Sequence, residues 1–241
     1  MANAIKALVV FSGGQDSTTC LYWALDKFGK GKVMALSFDY GQRHKRELAC
    51  AKKIAQQVNV PHYILPINTF AGLGNNSLTG TLTVTNSRGK RGLPNTFVPG
   101  RNLIFLTFAA AFAYTHNIRH LVTGVCEADY SGYPDCRKKT MAALEKAISL
   151  GMEYPIRIHT PLIHKSKAAA VRMLQKLGGL PALAHSHTCY NNAFPPCGKC
   201  NACVLRARAF QQAGVPDPLL TIKDFFQVRK KISTGSGGRL R

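Results

Sequence analysis

Residues 5–21 read Ile5-Lys6-Ala7-Leu8-Val9-Val10-Phe11, then Ser12-Gly13-Gly14-Gln15-Asp16-Ser17, then Thr18-Thr19-Cys20-Leu21. The first seven are almost wholly apolar, as in a strand buried on both faces of a parallel sheet. A helical pattern follows from Asp16 to residue 28. Between the two, a pair of glycines allows backbone conformations that a side chain forbids, and lets a phosphate approach the main chain. A helix starting at this point offers unpaired N–H groups and the positive end of its dipole to an anion. Ser12 and Ser17 add hydroxyl donors, and Asp16 is placed to serve as a carboxylate on the magnesium side of a nucleotide. Isolated, such a hexamer could be an ordinary turn with a capping Asp or Ser. Its place between a buried strand and a helix favours phosphate. The chain contains no Gly-Lys-Ser/Thr, and the turn lacks the G-x-G-x-x-G spacing of a dinucleotide binder.

Further along, strand and helix patterns alternate. Strands are expected over 32–38, 62–67, 120–124 and 154–158. Helices are expected over 43–58, where Leu48, Ala51, Ile54, Ala55 and Val58 share one side, and over 101–116. A third helix follows Pro134 to about residue 150. An amphipathic one over 165–177 stops at Gly178-Gly179, and the last spans 205–212. This order predicts an α/β fold, a doubly wound and mostly parallel sheet with right-handed crossovers. We expect an ATP-type α/β domain over 1–180, a cysteine-rich module and helix over 181–220, and a basic tail over 221–241 whose end is disordered. Residues 71–99 carry Gly, Asn, Ser and Thr without periodicity, which suggests a lid.

The 241 residues can bury one sizeable core, and a 46% hydrophobic content is ordinary for a globular protein. No apolar run approaches the roughly 20 residues of a membrane helix, and the first residues do not form a secretory signal. The expected location is the cytoplasm. The formal net charge is +21, from 32 Lys and Arg against 11 Asp and Glu. A polyanion partner such as RNA would suit this charge. The basic residues are spread along the chain, however, and a general basic bias accounts for them better.

Of eight cysteines, Cys189, Cys197, Cys200 and Cys203 crowd together, the last three as C-x-x-C-x-x-C. Such spacers let thiolates converge on one ion, and four of them make a closed, structural tetrahedral zinc site. An iron–sulfur cluster uses similar runs and stays as the alternative, as does a redox disulfide. Lys199, Arg206 and Arg208 are placed to offset the thiolate charge.

Residues just past a parallel strand's C-terminal end face the ligand crevice. Asp39, Gln42, Arg43 and His44 follow the second strand and could reach phosphates or the nucleotide; capping the next helix is the simpler alternative. Arg101 and Asn102 open a helix after Gly100, as a phosphate clamp or a cap. Residues 124–137 concentrate Glu127, Asp129, Tyr130, Tyr133, Asp135 and Arg137. With only 11 acidic residues in the chain, three within nine positions point to the polar edge of a purine-like ring, with tyrosines stacking on its face.

Ser12–Ser17 resembles the SGGxDS signature of the PP-loop ATP pyrophosphatases, which adenylate their substrates. Together with FDYGQRH (38–44), TFVPGRN (96–102), GVCEADYSGYPDCR (124–137), PLIHKSK (161–167) and CGKCNAC-VLRARAF (197–210), the chain closely resembles the 7-cyano-7-deazaguanine synthase family from residue 11 to about 216. That resemblance implies a ligase of queuosine biosynthesis. Such an enzyme turns 7-carboxy-7-deazaguanine, ATP with Mg²⁺ and free ammonia into the nitrile, through an adenylated acid and an adenylated amide. It implies one zinc on Cys189, Cys197, Cys200 and Cys203, and a homodimer. It also implies ATP contacts from Phe11, Ser12, Gly13, Gly14, Gln15, Asp16, Ser17, Thr18, Thr19, Cys20 and Leu21, with Asp39, Gln42 and Arg101. Asp16, Ser17 and Lys167 are the catalytic candidates. Lys138-Lys139 and Ala169 depart from the acidic residues usual in the family. A PP-loop enzyme acting on tRNA, by thiolation or lysidine formation, is the next alternative; a non-enzymatic zinc-knuckle RNA-binding protein is the third.

Overall fold

A computed structural model describes residues 4–42, 46–69, 93, 97–127 and 133–220. Five strands form one sheet: β1 (Ala7–Val10), β2 (Val33–Asp39), β3 (His62–Pro66), β4 (His120–Val122) and β5 (Arg157–His159). All four pairings are parallel, in the order β3-β2-β1-β4-β5. The central β1 buries Ala7, Leu8 and Val9 completely, which explains its unbroken apolar run. The edge strand β3 instead exposes Tyr63 and Ile64.

Helices cover both faces, as the alternating pattern requires. α1 (Gln15–Phe28), α2 (Arg46–Gln57) and α5 (Lys167–Lys176) pack on one face, where Leu21, Ala24, Ile54, Ala55 and Ala170 meet Ala7, Val9 and Val122. α3 (Arg101–Thr115) and α4 (Lys138–Gly151) pack on the other, with Leu106, Ala109, Ala113, Met141 and Ile148 against Leu8, Leu36 and Leu121. The doubly wound, parallel architecture is therefore as expected. α6 (Asn201–Ala213) rests on α5 through Ala209 and Phe210 against Val171 and Leu174.

Two boundaries differ from expectation. The last strand is β5 over Arg157–His159 rather than 154–158, because α4 claims the backbone of the preceding residues. The N–H of Tyr154 donates to the carbonyl of Ser149, and that of Ile156 to the Ser149 hydroxyl. The last helix begins at Asn201, not 205. Cys200 is its N-cap residue, so the cysteine run enters the helix and Cys203 lies within its first turn. Of the lid expected over 71–99, all but 93 and 97–99 lies outside the described residues, as does the tail from 221.

The sheet order reverses at β1, between β2 on one side and β4 on the other. In an open parallel sheet the crevice beyond the carboxyl ends of such strands is where ligands bind. Gly124 allows this crevice to close tightly on α1. A Cβ there would lie 3.3 Å from the Asp16 carbonyl carbon and 3.3 Å from the Ser17 nitrogen.

Candidate active site and metal centre

A cavity of about 360 Å³ occupies this crevice. Its wall takes Val10, Phe11 and Ser12 from the end of β1, Gln15, Asp16 and Ser17 from α1, and Thr123 to Cys126 from the end of β4. Phe38, Tyr40, Glu47, Arg101, Phe105, Tyr133, Lys167 and Tyr190 complete much of the rest.

The loop over residues 12–17 is held by its own serines. The Ser12 N–H donates to the Ser17 hydroxyl at 3.3 Å, the two hydroxyls lie 3.1 Å apart, and Ser17 also donates to the Gly14 carbonyl at 3.2 Å. Gly14 caps α1 with no side-chain hydrogen bond, so the first-turn amides keep their capacity for an anion. The Gln15 side-chain amide is buried in the same wall and its nitrogen has no hydrogen-bond partner among the described residues. Gly13 takes a backbone conformation that side chains rarely adopt, as its sequence suggested, and it also packs closely. At φ +76° its hydrogen faces α2, where a Cβ would lie 2.6 Å from the Ala51 nitrogen and 2.7 Å from the Glu47 carbonyl oxygen. It lets the loop press onto α2.

Lys167 arrives from 151 residues away to form an ion pair with Asp16. It stands at the start of α5, whose N-cap Ser166 accepts from the Ala169 N–H at 3.2 Å. Thr18, Thr19, Cys20 and Leu21 are fully buried in α1 and do not line the cavity. Burial pushes the Cys20 thiol well above its ordinary range. Asp39 and Gln42 also stand off the wall. Asp39 accepts from the Gly41 N–H, and Gln42 links the carbonyl of Phe38, the N–H of Tyr40 and the carboxylate of Glu47. Arg43 and His44 lie outside the described residues.

Arg101 lies on the wall near Tyr40, Tyr133 and Tyr190, with Phe38 and Phe105 stacked at 4.5 Å beside Tyr40. Burial works against its charge, but the three tyrosines and Asp135 outweigh it and raise its pKa. Burial also pushes Tyr40 up to about 12. Of the four described residues among the six singled out over 127–137, Tyr133 lines the cavity. Asp135 is buried beneath it and accepts from the backbone and side-chain nitrogens of Asn102, both at 3.0 Å, holding the start of α3. Glu127 is exposed and accepts from the Lys138 N–H at 3.1 Å, and Arg137 is exposed at the N-cap of α4. Asp129 and Tyr130 lie outside the described residues.

Sequence reasoning missed Glu47. It sits in the first turn of α2, directly on the cavity wall. Burial pushes its carboxyl up to about 7, against the opposing pull of Arg101 and the Gln42 hydrogen bond. The available signal was its place: an acidic residue in the first turn of the helix that follows a parallel strand, in a chain with 11 acids.

The Sγ atoms of Cys189, Cys197, Cys200 and Cys203 all lie within 4.8 Å of one another. Tetrahedral zinc at Zn–S of about 2.3 Å places sulfurs roughly 3.8 Å apart, and Cys197 and Cys203 stand at 3.9 Å. Backbone N–H groups of Cys197 and Cys200 point at the sulfurs of Cys189 and Cys197. Hydrogen bonds from Cys200 and Cys203 draw the Cys189 thiol down, while the same contacts push theirs up. Four sulfurs gathered this closely could hold one metal ion, which would take all four as thiolates.

Residues beside the four cysteines also form a wall of the cavity. Thr188 and Tyr190 flank Cys189, Asn201 and Ala202 separate Cys200 from Cys203, and all four line the cavity. The structure gives Arg206 partners other than the thiolates. It donates to both oxygens of Asp217 at 2.6 and 2.7 Å, to the Ser186 hydroxyl and to the Leu183 carbonyl. This buried pair clamps the module onto the 3₁₀ turn Leu180–His185.

A family model described as queuosine biosynthesis protein QueC matches residues 6–214. The chain is 62% identical over 222 residues to a 7-cyano-7-deazaguanine synthase of Chromobacterium violaceum, covering 91% of this chain and 94% of that one. It is 61% identical over 216 residues to a synthase of the same name from Laribacter hongkongensis, covering 89% and 93%. Among solved structures, an NH₃-dependent NAD synthetase from Campylobacter jejuni aligns with a TM-score of 0.45 at 11% identity, covering 98% of this chain and 88% of that one.

Proposed function

The chain belongs to the QueC family, and we propose that it converts 7-carboxy-7-deazaguanine and ammonia to 7-cyano-7-deazaguanine with ATP. It is a ligase that forms carbon–nitrogen bonds in queuosine biosynthesis. The observation that carries this is one cavity with two kinds of wall. The uncapped start of α1, with Gln15, Ser17 and Lys167, suits the charged phosphates. Arg101 with Phe38, Tyr40, Phe105 and Tyr133 suits a flat heteroaromatic acid.

A carboxylate resists attack by ammonia until its oxygen is placed on the α-phosphorus of ATP. The α1 N-terminus and the Lys167 ammonium bind the phosphates and stabilise the charge that gathers on departing pyrophosphate. Asp16 holds Lys167 in place by their ion pair. Mg²⁺ carried with ATP would neutralise phosphate charge beside Asp16. Ammonia converts the acyl adenylate to the amide, a second adenylation falls on the amide oxygen, and loss of AMP gives the nitrile. Both adenylates hydrolyse in water, so the reading includes a lid over 71–99 that excludes it. Asp39, Gln42, Glu127, Asp129, Tyr130, Asp135 and Arg137 belong to the reading as sources of further ligand contacts. The ion at Cys189, Cys197, Cys200 and Cys203 is zinc, whose closed four-sulfur site is structural.

The reading also carries a cytoplasmic homodimer, which analytical ultracentrifugation tests. No described helix is long and apolar enough to cross a membrane. The functional test supplies purified protein with ATP, ammonia and 7-carboxy-7-deazaguanine and follows the products by mass. Nitrile formation is expected. Absence of both nitrile and amide, with ATP consumed only when tRNA is present, would overturn the reading.

A further inference from the structure

We propose that the Glu47 carboxylate is the base that takes protons from the reacting nitrogen, a role that rests on the function proposed above. Two carboxylates line the described wall of the cavity, Asp16 and Glu47. Asp16 is engaged with the Lys167 ammonium. Glu47 remains for proton transfer.

Its setting suits that work. The Glu47 backbone is pressed against the phosphate loop, its carbonyl oxygen only 2.7 Å from where a Gly13 Cβ would stand. Its carboxylate meanwhile feels the charge of Arg101 on the aromatic wall. The group thus connects the phosphate-holding wall to the ring-holding wall, where the acyl carbon and the α-phosphate must meet. Gln42 fixes one of its oxygens by donating from Nε2 at 3.3 Å, and the other has no hydrogen bond among the described residues and can take a substrate proton. Burial sets the carboxyl near 7, where a general base works best at neutral pH.

The groups acting on it come from several elements. Arg101 projects from α3 and lowers its pKa, Tyr40 lies in the strap after β2, and Cys50 follows one turn on in α2. Arg46 and Lys53 of α2 and Arg206 of α6 act on the Cys50 side.

The nitrogen must lose all its protons between ammonia and nitrile. In the first step a nitrogen–carbon bond forms as ammonia attacks the acyl adenylate. The carbon–oxygen bond to AMP then breaks, its electron pair leaving with AMP, and Glu47 accepts one proton to leave the neutral amide. After the amide oxygen displaces pyrophosphate from a second ATP, Glu47 accepts one proton from the nitrogen to give the adenylated imidate. In the last step Glu47 accepts the remaining N–H proton. That bond's electrons complete the carbon–nitrogen triple bond as the carbon–oxygen electrons leave with AMP. Between steps Glu47 returns its proton to solvent.

The test uses the full-length Glu47→Gln protein, with Glu47→Asp beside it. Three rates are compared with the unsubstituted protein: carboxylate-dependent exchange of pyrophosphate into ATP, nitrile formation from the acid with ammonia, and nitrile formation from the amide without ammonia. Glu47→Gln should slow both nitrile-forming rates by about a hundredfold or more, leave the exchange within a few-fold, and abolish the acid limb of the amide-to-nitrile pH profile. Glu47→Asp should recover part of the rate with its acid limb intact. Nitrile formation from the amide that survives Glu47→Gln, or an exchange that falls in parallel with it, would overturn the role of Glu47. An unsubstituted protein that makes no nitrile would instead overturn the proposed function itself.

Discussion

The backbone N–H of His187 donates to the carbonyl oxygen of Gly13 at 3.3 Å. The segment entering the cysteine cluster is therefore bonded to the phosphate loop, and Thr188 lies within 3.7 Å of a Cβ at Gly14. In the proposed reading, metal binding and nucleotide binding share this contact.

Loss of the metal should consequently be felt in the ATP site. Cys200→Ser removes one of the four clustered sulfurs while leaving a good capping residue at the start of α6. The expected result is loss of bound metal on elemental analysis, a lower thermal midpoint, and a KM for ATP raised about tenfold, equivalent to roughly 1.4 kcal/mol. Unchanged ATP affinity in metal-free protein would separate the two sites.

Gly13→Ala should damage the loop through packing rather than through phosphate contact. The left-handed backbone at φ +76° costs an alanine about 1–2 kcal/mol. The added carbon would also stand 2.6 Å from the Ala51 nitrogen in the backbone of α2. Denaturant unfolding should show at least that loss without ATP present. Gly41→Ala, at a similar φ but with nothing within 4 Å, should cost only the backbone part.

These two residues show what could be read in the chain beforehand. The loop, the sheet class and the cysteine cluster are written in contiguous runs whose spacing has one physical meaning. Contacts that cross the chain were not legible in that way. The Asp16–Lys167 pair spans 151 positions, and nothing in a local pattern ties His187 to Gly13. Glu47 was hidden because its neighbours Leu48, Ala51, Ile54 and Ala55 explain the helix completely. Its environment only exists once α3 brings Arg101 across the crevice. For residues 127–137 the local signal was real but its meaning divided: Tyr133 lines the cavity, whereas Asp135 and Glu127 hold the starts of α3 and α4.

Removing the Lys167 ammonium should impair adenylation itself. Lys167→Met is expected to reduce pyrophosphate exchange by about a hundredfold to a thousandfold, the usual cost of deleting one transition-state donor. Asp16→Ala should likewise remove turnover. Both proteins should keep their metal, because neither residue belongs to the cysteine cluster.

Glu47 should also leave a mark on stability. Its carboxyl titrates near 7 in the folded protein against an ordinary value of 4.5. Between those values the folded protein holds a proton that the unfolded chain has released. Its contribution to stability is therefore full below 4.5 and is lost as pH rises toward 7. Glu47→Gln, which keeps an oxygen for Gln42 but carries no charge, should flatten this dependence in urea unfolding measured across that window. It should be at least as stable as the unsubstituted protein above pH 7. An unchanged slope would mean that Glu47 is not shifted.

The central claim is that one cavity adenylates first an acid oxygen and then an amide oxygen. Substrate labelled with ¹⁸O in both carboxylate positions tests it directly, with the phosphorus products separated and weighed. The account predicts two AMP molecules per nitrile, each carrying one labelled oxygen, and unlabelled pyrophosphate. Label recovered in orthophosphate, with ADP in place of AMP, would contradict it.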